Sequence, residues 1–399
     1  MADEERAAGG RRIAEIDVLR GFALFGILVT NALVGTMLMS FTGTADNPAP
    51  MFDGGVDRVV YAVMYGLFLG KFYLLFAFLF GYSFTLQIAA AERAGARPVP
   101  RLLRRSGALF LIGLAHVLFL WIGDILTLYA ILCVILVLLR KIRPRTALIT
   151  GVTLYLLYVA LSFFTGGGGV AGLGELLDLP RMHTGYTGDF GETLRIQLET
   201  APIFMLFTWL GQGVPSLAMF LLGLAAGKRR LFEDRELLTR WTPIALKVGF
   251  AVGLPVSLIT TAFWSIEGRT PDVLHGLQEL ANPFMTLGYV AAVVWLTRWR
   301  WASPITDLAP AGKMAATNYI TQSLIFALIY TGYGLSLADR LPPWAVLAVA
   351  LLTYVLQLRA STRWLRTHPY GPVEWLLRAA TYRTLPPWRR QPVRVSEPA

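Results

Sequence analysis

The sequence predicts an all-α integral membrane protein, a polytopic helical bundle of about ten transmembrane helices with both termini cytoplasmic. Three observations carry that expectation. Of 399 residues, 55% are hydrophobic and only 15% charged, too apolar for a typical soluble domain. The apolar residues fall in runs long enough to cross a bilayer, and the runs recur along nearly the whole chain. One membrane domain is therefore expected rather than an assembly of soluble ones. The net charge of +11 is unevenly spread, with basic residues crowding every second connection, which reads as topology before nucleic-acid binding.

The first hydrophobic stretch, 18–39, follows a charged lead but is long and lacks a small-x-small cleavage site. It is read as a retained span rather than a signal peptide. Further spans are expected at 60–89, 107–121, 124–139, 146–164, 202–226, 243–264, 283–297, 314–336 and 343–359. The shortest fall below the roughly 20 residues of a straight crossing and borrow flanking residues. The stretch 41–56 has no Lys or Arg, 165–200 has Arg181 and Arg195, 265–282 has Arg269, and 337–342 has Arg340. The intervening connections are basic, with Arg93, Arg97, Arg101, Arg104 and Arg105, then Arg140, Lys141, Arg143 and Arg145. Lys228, Arg229, Arg230, Arg235 and Arg240 follow, then Arg298 and Arg300. Arg6, Arg11 and Arg12 precede the first span, and the tail is arginine-rich. Positive charge stays inside, so the number of spans is even. A re-entrant excursion at the tight turn Trp121–Asp124 would change that number.

The expected organisation is a cytoplasmic lead over 1–16, a transmembrane domain over 17–360 with an external loop at 165–200, and a basic cytoplasmic tail over 361–399. The loop opens with Gly166–Gly169 and contains His183, Asp189, Glu192 and Glu199, which suits a solvated loop or a lid over an outward-facing site. Within the tail, Pro372–Tyr382 mixes Trp, Leu and Arg behind a proline, as an interfacial helix would. The single cysteine, Cys133, excludes an intrachain disulfide framework.

Polar residues inside the apolar runs demand an account. Lys71 lies within Gly66–Gly81, where an ammonium costs several kcal/mol, about 3 or more, unless a partner or a wet cavity meets it. Asp17 and Arg20 are three apart and share a helix face, either as a structural pair or as a holder for an anionic group. Asn31, mid-span, suits an interhelical hydrogen bond. Asp124 can cap the helix that follows it, and it is also the nearest obvious counter-charge for Lys71. His116 can shuttle protons near neutral pH or simply pack. Gln212, Asn318, Tyr319 and Gln322 add polar edges that can line a cavity. No phosphate loop, dinucleotide fingerprint, His-Glu-x-x-His or Cys-x-x-Cys is present, and the four histidines are scattered, so no metal site is expected.

Five blocks resemble the YeiB-like, or DUF418, membrane proteins: Glu15–Asn31, Lys71–Gly81, Gly123–Ala130, Asn318–Ser323 and Gly371–Arg378. That family in turn resembles the transmembrane acyltransferases, which include heparan-alpha-glucosaminide N-acetyltransferase and the acyltransferase-3 proteins. The wider resemblance rests on Asp17-x-x-Arg20-Gly21 and the multispan character. It implies transfer of an acyl group from a cytoplasmic donor to a sugar or cell-envelope acceptor on the far side. Members of that group use a histidine near the first spans, whereas the first histidine here is His116. The roles implied are then His116 or His183 as general base, Lys71 at the developing oxyanion, Asp124 beside them, and Asp17, Arg20 and Asn31 toward the donor. No tightly bound cofactor is expected, with acyl-CoA as a candidate donor substrate. The expected partners are the lipid bilayer of the inner (plasma) membrane and an envelope glycan, lipid or small-molecule substrate. Nucleic acid is not expected, and a homodimer stays open. Two other functions fit the same residues: a small-molecule or ion transporter with a Lys71-centred cavity, and a non-catalytic scaffold or lipid-binding protein.

Overall fold

The computed structural model describes residues 14–39, 41–44, 47–50, 52–165, 178–267, 270–298 and 305–390. Arg6, Arg11 and Arg12 of the lead, Gly166–Gly169, Arg269, Arg300 and the last residues of the tail lie outside that range. The chain begins with α1 (Ala14–Met39), followed by a short antiparallel hairpin of β1 (Phe41–Thr44) and β2 (Asn47–Pro50). Then come α2 (Gly55–Leu67), α3 (Phe72–Arg93), α4 (Pro98–Phe119), α5 (Leu126–Leu138) and α6 (Pro144–Thr165). After α7 (Leu179–Thr187) come the long helices α8 (Phe190–Lys228), α9 (Arg235–Glu267) and α10 (Asp272–Thr297). The last are α11 (Ala309–Lys313), α12 (Ala315–Tyr330), α13 (Pro343–Thr367) and α14 (Pro372–Tyr382). Apart from the hairpin the architecture is helical throughout the described residues.

Among the described residues, eight helices, counting α2 with α3 as one, are long and apolar enough to cross a membrane. The shorter α5 and α12 occupy the other two positions expected from the sequence. Among the eight, α1 is the most buried, and α6 and α9 the least. The first span therefore runs through the middle of the bundle and packs against α3, α11, α12 and α13, while α6 and α9 flank it. Large apolar side chains such as Leu157, Leu161 and Phe164 of α6 and Leu210 of α8 point out of the bundle. That outward apolar surface is what lipid tails require.

Three helices start well before the expected position. The sequence reading placed starts at Pro202, Pro243 and Pro283, yet α8, α9 and α10 begin at Phe190, Arg235 and Asp272 and carry those prolines inside. Proline in a membrane helix is tolerated because neighbouring side chains can satisfy the freed carbonyl. An early start is secured at α8 by a capping box, in which Asp189 accepts from the Glu192 N–H and Glu192 reaches back to the Asp189 N–H. The expected external loop is consequently helical over much of 178–200.

Where helices cross closely, glycine allows it. A Cβ on Gly81 would run into the Phe220 carbonyl, and one on Gly223 into the Phe78 carbonyl, so α3 and α8 meet backbone to backbone. Near the end of the described chain, the short helix α14 is locked to α12 by Glu374. One of its oxygens accepts from the Ala316 N–H at 2.7 Å, and the other from the Thr317 hydroxyl at 2.6 Å. Met314, at the N-cap of α12, provides no side-chain cap, and Glu374 supplies it from across the fold.

Candidate functional site

Helix α4 ends at Phe119, and the chain turns through 120–125 before α5 begins. That turn places Asp124 back against the last turn of α4. The His116 Nδ1 lies 2.9 Å from Asp124 Oδ1, and its Nε2 lies 2.8 Å from Ser323 Oγ on α12. All three side chains are buried, at 2%, 0% and 6% exposure. The second Asp124 oxygen accepts the Thr127 N–H at 2.7 Å, so one carboxylate both caps α5 and holds the imidazole. A carboxylate can only accept, which puts a proton on Nδ1; in the neutral tautomer Nε2 accepts from the Ser323 hydroxyl, which also lies 3.4 Å from the Tyr319 carbonyl one turn back on its own helix. The Tyr319 ring packs on the imidazole, with centroids 4.9 Å apart, and fixes its plane. Carboxylate, imidazole and hydroxyl thus stand in the order that activates an oxygen nucleophile.

Beside Ser323 is a small cavity lined by Leu28, Asn31, Trp121, Gln322, Ser323 and Phe326, with about 10 Å³ of room for the centre of a water-sized sphere. Two of these residues carry buried polar atoms without a hydrogen-bond partner: Trp121 Nε1 and Gln322 Oε1. The orientation of Gln322 follows from its neighbours. Gln357 donates through Nε2 to the Asn318 carbonyl, so its Oε1 must accept, and Gln322 donates to it through Nε2. What remains is one unused donor and one unused acceptor next to the Ser323 hydroxyl. Buried polar groups are normally satisfied, and the cavity has room and partners for a bound water or a small polar group of a ligand.

Lys71 is buried but not inside a continuous helix, as the sequence reading had it. It sits at the break between α2 and α3, where Gly70 has φ +82°. α10 braces the break: the Tyr289 hydroxyl donates at 2.7 Å to Leu67 O, and the Thr286 hydroxyl donates at 3.0 Å to Lys71 O, which also accepts the Leu75 N–H that opens α3. Asp124 is engaged with His116, and the carboxylate whose charge acts on Lys71 is Glu279 of α10. Asn282 donates to Glu279 at 3.2 Å and packs against Gly70. Lys71 and the His116 cluster are therefore two separate polar centres.

Arg20 donates to Asp17 at 2.8 Å and to Ser83 Oγ at 2.6 Å, tying α1 to α3. Asn31 lies eleven residues further along α1, about 16 Å by helix rise, and lines the cavity at Ser323 rather than joining Arg20. His183 is bonded to the Met39 carbonyl at the end of α1, at 2.6 Å, and is not on the cavity wall. The segment that carries it reaches over the site's end of α4. Tyr186 donates to Gln197, which donates to the Val117 carbonyl next to His116. Sequence reasoning missed Ser323, Trp121 and Glu279. Ser323 sits in an apolar helix where a serine ordinarily bonds its own backbone, and Glu279 lies upstream of Pro283, in residues assigned to a loop. Among the described residues no His, Cys, Asp and Glu side chains group as a metal site.

The family model described as "Protein of unknown function (DUF418)" matches residues 226–384. "Uncharacterized protein YxaH" of Bacillus subtilis is 31% identical over 400 residues, covering 96% of this chain and 97% of the relative. The "Uncharacterized 39.9 kDa protein in amylase 3'region" of Bacillus acidopullulyticus is 29% identical, over 93% of this chain and 94% of its own length. "Uncharacterized protein YeiB" of Escherichia coli is 27% identical over 71% of this chain and 76% of its own. The similarity to YxaH runs nearly end to end and includes both polar centres, and with it the chain belongs to the DUF418, or YeiB-like, family of multi-pass membrane proteins.

Proposed function

We propose that His116, Asp124 and Ser323 form the centre of a transmembrane acyl transfer, from a thioester donor such as acyl-CoA to an envelope glycan or lipid acceptor. The observation that carries this reading is that His116 uses both ring nitrogens, one on a carboxylate that fixes its tautomer and one on a hydroxyl. A histidine kept only for packing has no need of that order. His116 is the general base, Asp124 orients it, and the surrounding apolar bundle keeps out the water that would hydrolyse an activated acyl group. The charge pattern of the connections supports placing this cluster in the outer half of an inner (plasma) membrane, with the Arg20–Asp17 pair at the cytoplasmic mouth. Among the sequence candidates, His183 and Lys71 have supporting rather than chemical roles in this reading.

The test uses inside-out vesicles loaded with extracted envelope glycans and lipids and given labelled acetyl-CoA from outside, on the cytoplasmic face. Wild-type protein moves label to an acceptor, and His116→Ala reduces the rate by about 10²- to 10⁴-fold. Folded wild type that transfers no more label than His116→Ala contradicts the proposal. Transport is the second reading, favoured by Lys71 at a broken helix facing Glu279. It predicts instead that Lys71→Ala abolishes solute uptake while His116→Ala leaves it intact.

A further inference from the structure

We infer that Ser323 itself carries the acyl group as a covalent ester, and that the cavity beside it restricts that group to the size of acetyl. This rests on the acyl-transfer reading and specifies its nucleophile and substrate class. Three features of the geometry converge. The Ser323 hydroxyl is 2.8 Å from His116 Nε2, the ring nitrogen left to accept in the tautomer that Asp124 selects, so the oxygen has a proton acceptor within reach before any substrate arrives. The cavity that Ser323 lines has about 10 Å³ of room for a water-sized centre, close to what one water or one methyl group occupies. Its wall offers an unused N–H at Trp121 and an unused oxygen at Gln322, together with the apolar side chains of Leu28 and Phe326.

These features match the parts of an acetyl transfer. The methyl group takes the apolar end, and the carbonyl oxygen takes the Trp121 N–H, which strengthens as negative charge develops there. In the first half-reaction the Ser323 oxygen bonds to the thioester carbonyl carbon while its proton passes to His116 Nε2. The carbon–sulfur bond then breaks, and the thiol leaves with that proton. In the second, an acceptor hydroxyl or amine gives its proton to His116 as its oxygen or nitrogen bonds to the ester carbon. The carbon–oxygen bond to Ser323 breaks, and Ser323 recovers the proton. No electron is gained or lost overall. Gln322 Oε1 accepts the remaining N–H of an amine or a neighbouring O–H of a sugar. The acceptor is thereby an amine or polyol with a second N–H or O–H to give, rather than a thiol.

The test uses full-length protein in nanodiscs, exposed separately to p-nitrophenyl acetate and p-nitrophenyl octanoate, followed by peptide mass spectrometry. The same preparations are assayed for acetyl transfer in vesicles. Wild type is expected to carry one acetyl group on the Ser323 peptide and essentially no octanoyl group. Ser323→Ala is expected to lose the label and at least about 10³-fold of the transfer rate. Ser323→Cys keeps a nucleophile at the same place, is expected to take the acetyl group on sulfur, and guards against misreading a misfolded alanine variant. Octanoyl labelling as fast as acetyl overturns the size limit. Vesicle transfer that survives in Ser323→Ala, with no acetyl on Ser323 in wild type, overturns the covalent step while leaving acyl transfer standing. Absence of both label and transfer in folded wild type overturns the acyl-transfer reading as well.

Discussion

His116, Asp124 and Ser323 show how polar groups persist in an apolar bundle: each hydrogen-bonds the next, and the last carboxylate oxygen is capped by a backbone N–H. A buried polar atom left unpaired costs about 1–3 kcal/mol, and two of the several such atoms among the described residues, on Trp121 and Gln322, border this network at the cavity. They yield a discriminating prediction. Trp121→Phe removes an unsatisfied donor, so the melting temperature of the purified protein is expected to hold or rise. Its acetyl-transfer rate is expected to fall by about 10²-fold, because the N–H is used only when charge develops on the carbonyl oxygen. A purely structural Trp121 would lower both together. Of this site the sequence showed the titratable members: a histidine near the end of one span and an aspartate at the start of the next. The serine was not legible, because nothing in one sequence reports that residues 207 positions apart share a hydrogen bond.

At the scale of the elements, the break between α2 and α3 organises the second polar centre. Gly70, at φ +82°, permits the break, but the partner that makes it tolerable, α10, was hidden behind Pro283. Reading the proline as a start discarded Gln278, Glu279 and Asn282, the residues that face the break. Long apolar periodicity identified the spans, whereas their ends depended on caps and long-range partners that local sequence does not disclose. The action of the Glu279 charge on Lys71 has a measurable consequence. Glu279→Ala leaves a buried ammonium without the carboxylate charge that acts on it and is expected to lower the melting temperature. Replacing both, Lys71→Met with Glu279→Leu, is expected to recover most of that loss, as read by thermal melting in nanodiscs. A double variant as unstable as the single one would mean that the two charges do not compensate each other.

For the whole molecule, α1 is the axis on which both ends of the proposed reaction are mounted. Arg20 and Asp17 stand near its start, and Asn31 stands beside Ser323 in its second half. In the proposed reading, the alternation of basic and neutral connections supports placing Arg20 and Asp17 toward one membrane face and the Ser323 end toward the other, the arrangement a reaction across the bilayer needs. The helices α7 and α8 close over the end of α4 that carries His116, so the site is shielded from water on that side as well. The central claim is that the buried triad is a reaction centre rather than a packing network. It is tested most directly by the pre-steady-state burst of p-nitrophenolate released when purified protein meets p-nitrophenyl acetate. The account predicts one equivalent per chain for wild type, none for Ser323→Ala, and a burst slowed by about 10⁴-fold in Asp124→Asn, whose amide no longer fixes the imidazole tautomer. An equal burst from wild type, Ser323→Ala and Asp124→Asn would contradict it.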